Sequence, residues 1–187
     1  MKNIVAAVRI ASLLALATSC FGAPALDWTT APGPRSAEVT VPKSGKSGFT
    51  LLPPSVTGLQ FSNILTDEKA AENQIRLLGS GIAAGDVDGD GWCDLYFCRL
   101  EGPNVLYRNL GNWKFEDITA RAGVACDGQY STGAVFADVD GDGDLDLLVN
   151  GIGVGTRLFL NDGKGVFKES AGGGLMKKLT ATSMTLA

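Results

Sequence analysis

Two acidic loops, 52 residues apart, constrain this chain more than any other feature. Asp86-Val-Asp-Gly-Asp-Gly-Trp-Cys-Asp94 and Asp138-Val-Asp-Gly-Asp-Gly-Asp-Leu-Asp146 share the pattern D-x-D-G-D-G-x-x-D. Carboxylates at positions 1, 3, 5 and 9 converge on one point only if the backbone turns sharply between them. Gly91 and Gly143, at the sixth position, permit that turn because glycine enters the left-handed region at little cost. A hard cation such as Ca²⁺ takes about six to eight oxygens from carboxylates, backbone carbonyls and water. The expected ligands are therefore Asp86, Asp88, Asp90 and Asp94 with the Trp92 carbonyl, and Asp138, Asp140, Asp142 and Asp146 with the Asp144 carbonyl. The Asp144 side chain is expected to face solvent. Without a cation, carboxylates this close repel one another and raise each other's pKa.

An EF-hand is excluded. It needs a bidentate Glu at position 12 and flanking helices, whereas position 12 is Phe97 in the first loop and Val149 in the second. Each loop is followed by a short apolar run, Leu95–Cys98 or Leu147–Val149, which reads as a buried strand. The loops thus join strands.

The surrounding sequence repeats with the loops. Gly81 matches Gly133, Asn109 matches Asn161 and Phe115 matches Phe167, each pair 52 residues apart. A period near 50 suits a four-stranded propeller blade. The strands expected in each unit are Ile82–Ala84 or Ala134–Phe136, then the apolar run after the loop, then Val105–Tyr107 or Arg157–Leu160. A tight Asn/Gly hairpin follows, then Lys114–Ile118 or Val166–Lys168. The predicted fold class is all-β: a partial β-propeller of about two four-stranded blades plus the first strand of a third. Closure takes about four to eight blades. Thr182–Ala187 aligns with Thr132–Ala137, so the sequence reads as running on into a third blade.

The organisation expected is a signal peptide over 1–25, a Pro/Gly/Ser-rich linker over 26–57, and an edge strand and connector over 58–78. Blade 1 then covers 79–126, blade 2 covers 127–177, and a third blade starts at 178–187. Lys2 and Arg9 precede the apolar run Ile10–Ala17, and Ala23-Pro-Ala25 offers a cleavage site, as in secretory signals. The alternatives are an N-terminal anchor and lipidation at Cys20. The mature chain is expected to carry no transmembrane span and to reside outside the cell or on its surface. Within the connector, Gly58–Ile64 resembles a fourth strand, with Phe61 in the place of Phe115; Thr66–Leu78 fits one short helix or a loop.

The repeats resemble FG-GAP/VCBS-type blades, the calcium-bearing β-propeller units also found in integrin α-chains. The residues carrying the likeness are Leu78 through Gly91, Asp94–Cys98, Leu106–Gly111 and Phe115–Thr119. They are similar to secreted bacterial relatives of cartilage acidic protein. The literal FG…GAP tags and any ASPIC-type segment are absent. The resemblance implies a propeller with calcium in inter-strand loops and a role in binding or cell adhesion, toward an extracellular protein or a carbohydrate.

Composition narrows the function classes. The chain has 187 residues, formal charge −4 and no His, and nine of its 20 acidic residues lie in the two loops. Two divalent ions would bring the formal charge to zero. No basic, aromatic-interleaved surface points to nucleic acid. Without His, the commonest general base and the usual triad are missing, so no catalytic residue is expected. The other reading is the non-catalytic propeller portion of a larger secreted enzyme acting on polysaccharide. Of the four cysteines, Cys20 leaves with the signal and Cys93 reads as a small core residue. Cys98 with Cys126 is the internal pairing left open.

Overall fold

The computed structural model describes Ala37 and residues 48–170. The chain divides into two compact units, 1–49 and 50–187, and the eight strands described all lie in the second. The expected signal peptide, Cys20, the third-blade start and most of the linker lie outside the described residues.

Two antiparallel four-stranded sheets form the unit, each in simple sequential order. The first comprises β1 (Ile82–Gly85), β2 (Asp94–Phe97), β3 (Val105–Asn109) and β4 (Phe115–Asp117). The second comprises β5 (Ser131–Ala137), β6 (Asp146–Gly151), β7 (Gly155–Asn161) and β8 (Phe167–Glu169). These are the blades of an all-β, partial propeller-like fold. Register places each acidic loop as the β1–β2 or β5–β6 connection. Gly85 pairs with Asp94, and Ala137 with Asp146. The last Asp of each motif is therefore the first residue of the next strand.

One apolar core joins the sheets. Tyr96, Leu106, Val87 and Val124 from the first repeat pack with Leu147, Val149, Phe159 and Phe167 from the second. β6 is buried along its whole length, as expected for a strand covered on both faces. The matched glycines Gly81 and Gly133 have a steric reason: a Cβ on Gly81 would sit 3.1 Å from the Gly133 Cα. Polar ties complete the seam. Asn104 Nδ2 donates to the Tyr96 hydroxyl at 2.8 Å and to Ser131 Oγ at 2.9 Å, and Ser131 N–H donates to the Arg99 carbonyl.

Two expectations are corrected, and the cysteine pairing left open is resolved. Gly58–Ile64 forms no strand. Its polar groups are taken by side chains instead of a backbone ladder: Gln60 N–H donates to the Tyr107 hydroxyl, and Asn63 Oδ1 accepts from Leu100 N–H. Phe61 does not occupy a Phe115-like place; it lies on the Phe97 ring, centroids 4.7 Å apart. Cys98 and Cys126 are free buried thiols, not a disulfide. Burial pushes the Cys98 thiol up to about 12, and Cys126 Sγ lies 3.6 Å from the Tyr96 hydroxyl. Cys93 is exposed and not a core residue, because it precedes the strand instead of joining it.

Short helices fill the connections: α1 (Pro54–Thr57), α2 (Asp67–Glu72) and α3 (Thr119–Ala122), with a 3₁₀ turn over Gln74–Leu78. Among the described residues no helix is long and apolar enough to cross a membrane.

Candidate metal centres in the two acidic loops

Each loop is built around its first aspartate. Asp86 Oδ1 accepts from the N–H of Gly89 at 2.9 Å and Asp90 at 3.2 Å, and its Oδ2 accepts from Gly91 at 2.8 Å. Asp138 repeats this with Gly141 at 2.7 Å and Gly143 at 3.1 Å. A short side chain that captures N–H groups three to five residues on closes the turn locally.

The last aspartate braces the loop against the sheet. Asp94 is fully buried; its Oδ2 accepts from Val87 N–H at 2.9 Å and its Oδ1 from Asn109 N–H at 2.7 Å. Asp146 is also fully buried and accepts from Val139 at 3.0 Å and Asn161 at 2.9 Å. Burial holds the Asp94 carboxyl above its ordinary pKa. The N–H groups of Asn109 and Val87 pull it down, while the charges of Asp88 and Asp90 push it further up.

The structure brings three of the four expected ligand carboxylates in each loop together. One oxygen each from Asp86, Asp88 and Asp94 lies within 4.8 Å of the other two, and the same holds for Asp138, Asp140 and Asp146. The fifth-position residues stand outside these triplets. Asp90 Oδ2 takes Arg108 Nη2 at 2.8 Å and its Oδ1 accepts from Trp92 N–H; Asp142 Oδ1 accepts from Asp144 N–H at 2.9 Å. At the seventh position the side chains lie on the following hairpin. The Trp92 ring covers Gly111, and the Asp144 carboxylate lies so close to Gly163 that a Cβ there would collide with it. Asp144 is thus half-buried rather than fully solvent-facing.

The donor set suits a hard divalent cation, being all oxygen. One atom argues for it further: Asp88 Oδ1 is shielded from solvent and accepts no hydrogen bond, an arrangement costly for a carboxylate oxygen. Sequence reasoning missed Arg108, whose Nε lies 2.5 Å from Asp88 Oδ2. The signal was present in that Arg108 is the one charged residue of its strand, and its counterpart, Leu160, carries no charge. It also missed Asn161 as an inter-blade tie; its Nδ2 donates to the Val87 carbonyl of the first loop at 2.8 Å.

Known proteins agree with this architecture. Residues 86–149, from the first Asp of one loop to the strand beyond the other, match the family model of the FG-GAP-like repeat. Cartilage acidic protein 1 of Mus musculus is 28% identical over 62% of this chain and 18% of its own length. The Xenopus tropicalis protein of that name is 33% identical over 50% of this chain and 15% of its own; the human one is 32% identical over 44% and 12%. The chain spans less than a fifth of the length of these relatives. Twin blades with one acidic loop each, and a match that runs across both loops, make residues 86–149 similar to the FG-GAP-like repeat.

Proposed function

We propose that the chain is a secreted, calcium-stabilised FG-GAP-repeat module that acts in binding or cell adhesion and not in catalysis. One Ca²⁺ is held by Asp86, Asp88, Asp90 and Asp94 with the Trp92 carbonyl, the other by Asp138, Asp140, Asp142 and Asp146 with the Asp144 carbonyl. The observation that carries this reading is the recurrence of the same carboxylate triplet at the same place in both sheets. A surface turn has no reason to gather like charges twice. Outside the cell, calcium modules work with sites as weak as about 10⁻⁴–10⁻³ M. The partner is an extracellular protein or a carbohydrate. In support of a docking role, Trp92 and Trp113 are exposed and share one open hollow with Asn109 and Asn112.

The test is calorimetric. The chain takes up two Ca²⁺, and Asp140→Ala loses one of them along with the stabilisation that binding to the native state confers. Ca²⁺ raises the melting temperature and Zn²⁺, which prefers nitrogen and sulfur, does much less. Unchanged calcium uptake in the variant, or equal stabilisation by both ions, overturns the assignment.

A further inference from the structure

We propose that Arg108 is a built-in competitor for the cation of the first loop, holding Ca²⁺ affinity there below what the same carboxylates give without it. This role rests on the assignment of Ca²⁺ to these loops. Arg108 sits on β3 directly before Asn109, opposite Glu116 in the register of β4. Its guanidinium does not pair with Glu116. It turns to the loop, with Nε 2.5 Å from Asp88 Oδ2 and Nη2 2.8 Å from Asp90 Oδ2. Both acidic residues belong to the proposed ligand set. One planar fork therefore takes one oxygen from each, the arrangement for which arginine is suited.

A cation entering the loop meets two obstacles. It must share or break an ion pair to Asp88 and a charge-assisted hydrogen bond to Asp90, the latter stronger than a neutral hydrogen bond. It must also approach a fixed positive charge, and like charges a few ångströms apart repel appreciably even at the effective dielectric of a protein surface. The same contacts have an opposite effect on the cation-free protein. The guanidinium offsets charge on Asp88 and Asp90, so the first loop keeps its shape with less help from Ca²⁺.

The second repeat serves as an internal control. The residue 52 positions on is Leu160, paired in register with Lys168. Among the described residues no cation pairs with a carboxylate of the second loop. Arg157, the arginine on the corresponding strand, is engaged by Glu169 through Nε at 2.7 Å and Nη2 at 2.6 Å. The same four aspartate positions thus meet a paired cation in the first loop and none among the described residues in the second.

Trp92 supplies a reporter confined to the first loop, since residues 138–146 contain no aromatic side chain. Tb³⁺, a luminescent stand-in for Ca²⁺, is titrated into the whole chain with indole excitation, then displaced with Ca²⁺. The forms compared are wild type, Arg108→Leu and Arg108→Lys, each with and without Asp140→Ala. Arg108→Leu is expected to tighten first-loop binding by about tenfold, equivalent to about 1.4 kcal/mol. Arg108→Lys, a point charge without the fork, falls between. Second-loop uptake, measured by calorimetry on the forms that retain Asp140, stays the same. If Arg108→Leu fails to fold in chelator, Arg108→Gln carries the same comparison. First-loop affinity unchanged or weakened in a natively folded neutral variant overturns the role of Arg108 while leaving calcium binding intact. Absence of both sensitised emission and calcium heat in every form overturns the calcium assignment as well.

Discussion

The two acidic loops carry aspartate at the same four positions, yet the protein around them treats them differently. Val87, second in the first loop, is 1% exposed, whereas Val139 in the second is 42% exposed. The reason is the neighbouring blade. Asn161 donates to the Val87 carbonyl, and Gly165 lies against the Val87 side chain; no described residue does the same for Val139. Charge differs too, with Arg108 against the first loop and Leu160 in its place in the second. The hairpins beyond diverge in the same way. Trp113 holds a φ of 61° at the position where the second repeat has Gly165 at 73°. The lesson is that a ligand motif specifies the turn, while cover and charge balance come from residues the motif does not contain.

The largest expected effect lies where the loops are most alike. Asp94→Ala and Asp146→Ala each strand two backbone N–H groups, and an unsatisfied buried donor costs about 1–3 kcal/mol. Urea unfolding in chelator should show each variant destabilised by about 3 kcal/mol. A gap well beyond 1 kcal/mol would place position 9 among the features set by surroundings. Next come the valines. Val87→Ala removes two buried methyl groups and should cost about 2 kcal/mol. Val139→Ala should stay within about 0.5 kcal/mol, as exposed substitutions do. Equal losses would break the contrast in cover.

Trp113→Gly should stabilise the chain by about 1 kcal/mol, because a bulky residue in the left-handed region carries strain of roughly that size. A loss of stability would show that the tryptophan side chain, 69% exposed, packs more than its surroundings suggest. The smallest effect is a pH dependence of the first loop. Burial raises the Asp94 pKa above its ordinary value, so the native state holds that proton after the unfolded chain has released it. The resulting stabilisation is present at low pH and is lost as pH rises from the ordinary carboxylate value through the raised one. Melting in chelator across that window should show the decline, and Ca²⁺ should flatten it. A decline of the same slope with Ca²⁺ present would disconnect Asp94 from the cation.

Local chemistry was legible in the residues alone. The 52-residue spacing, the two apolar runs and the Asn/Gly hairpins placed both blades and both loops, because strand alternation and turn chemistry act over a few neighbouring residues. Phe61 shows where that reasoning stops. Its segment has strand composition, but Gln60 N–H met the Tyr107 hydroxyl and the segment's own Asn63 side chain took the Leu100 N–H, so no ladder formed. Cys93 shows the same limit, since whether its thiol is covered depends on where the next strand begins. The sequence by itself determined the carboxylate pattern and the blade repeat. Only the tertiary structure decided that Arg108 turns to Asp88 and Asp90 rather than to Glu116, and that Val87 is covered while Val139 is not. Those outcomes depend on which surfaces meet across the sheets, and contacts between residues far apart in the chain leave no local periodicity to read.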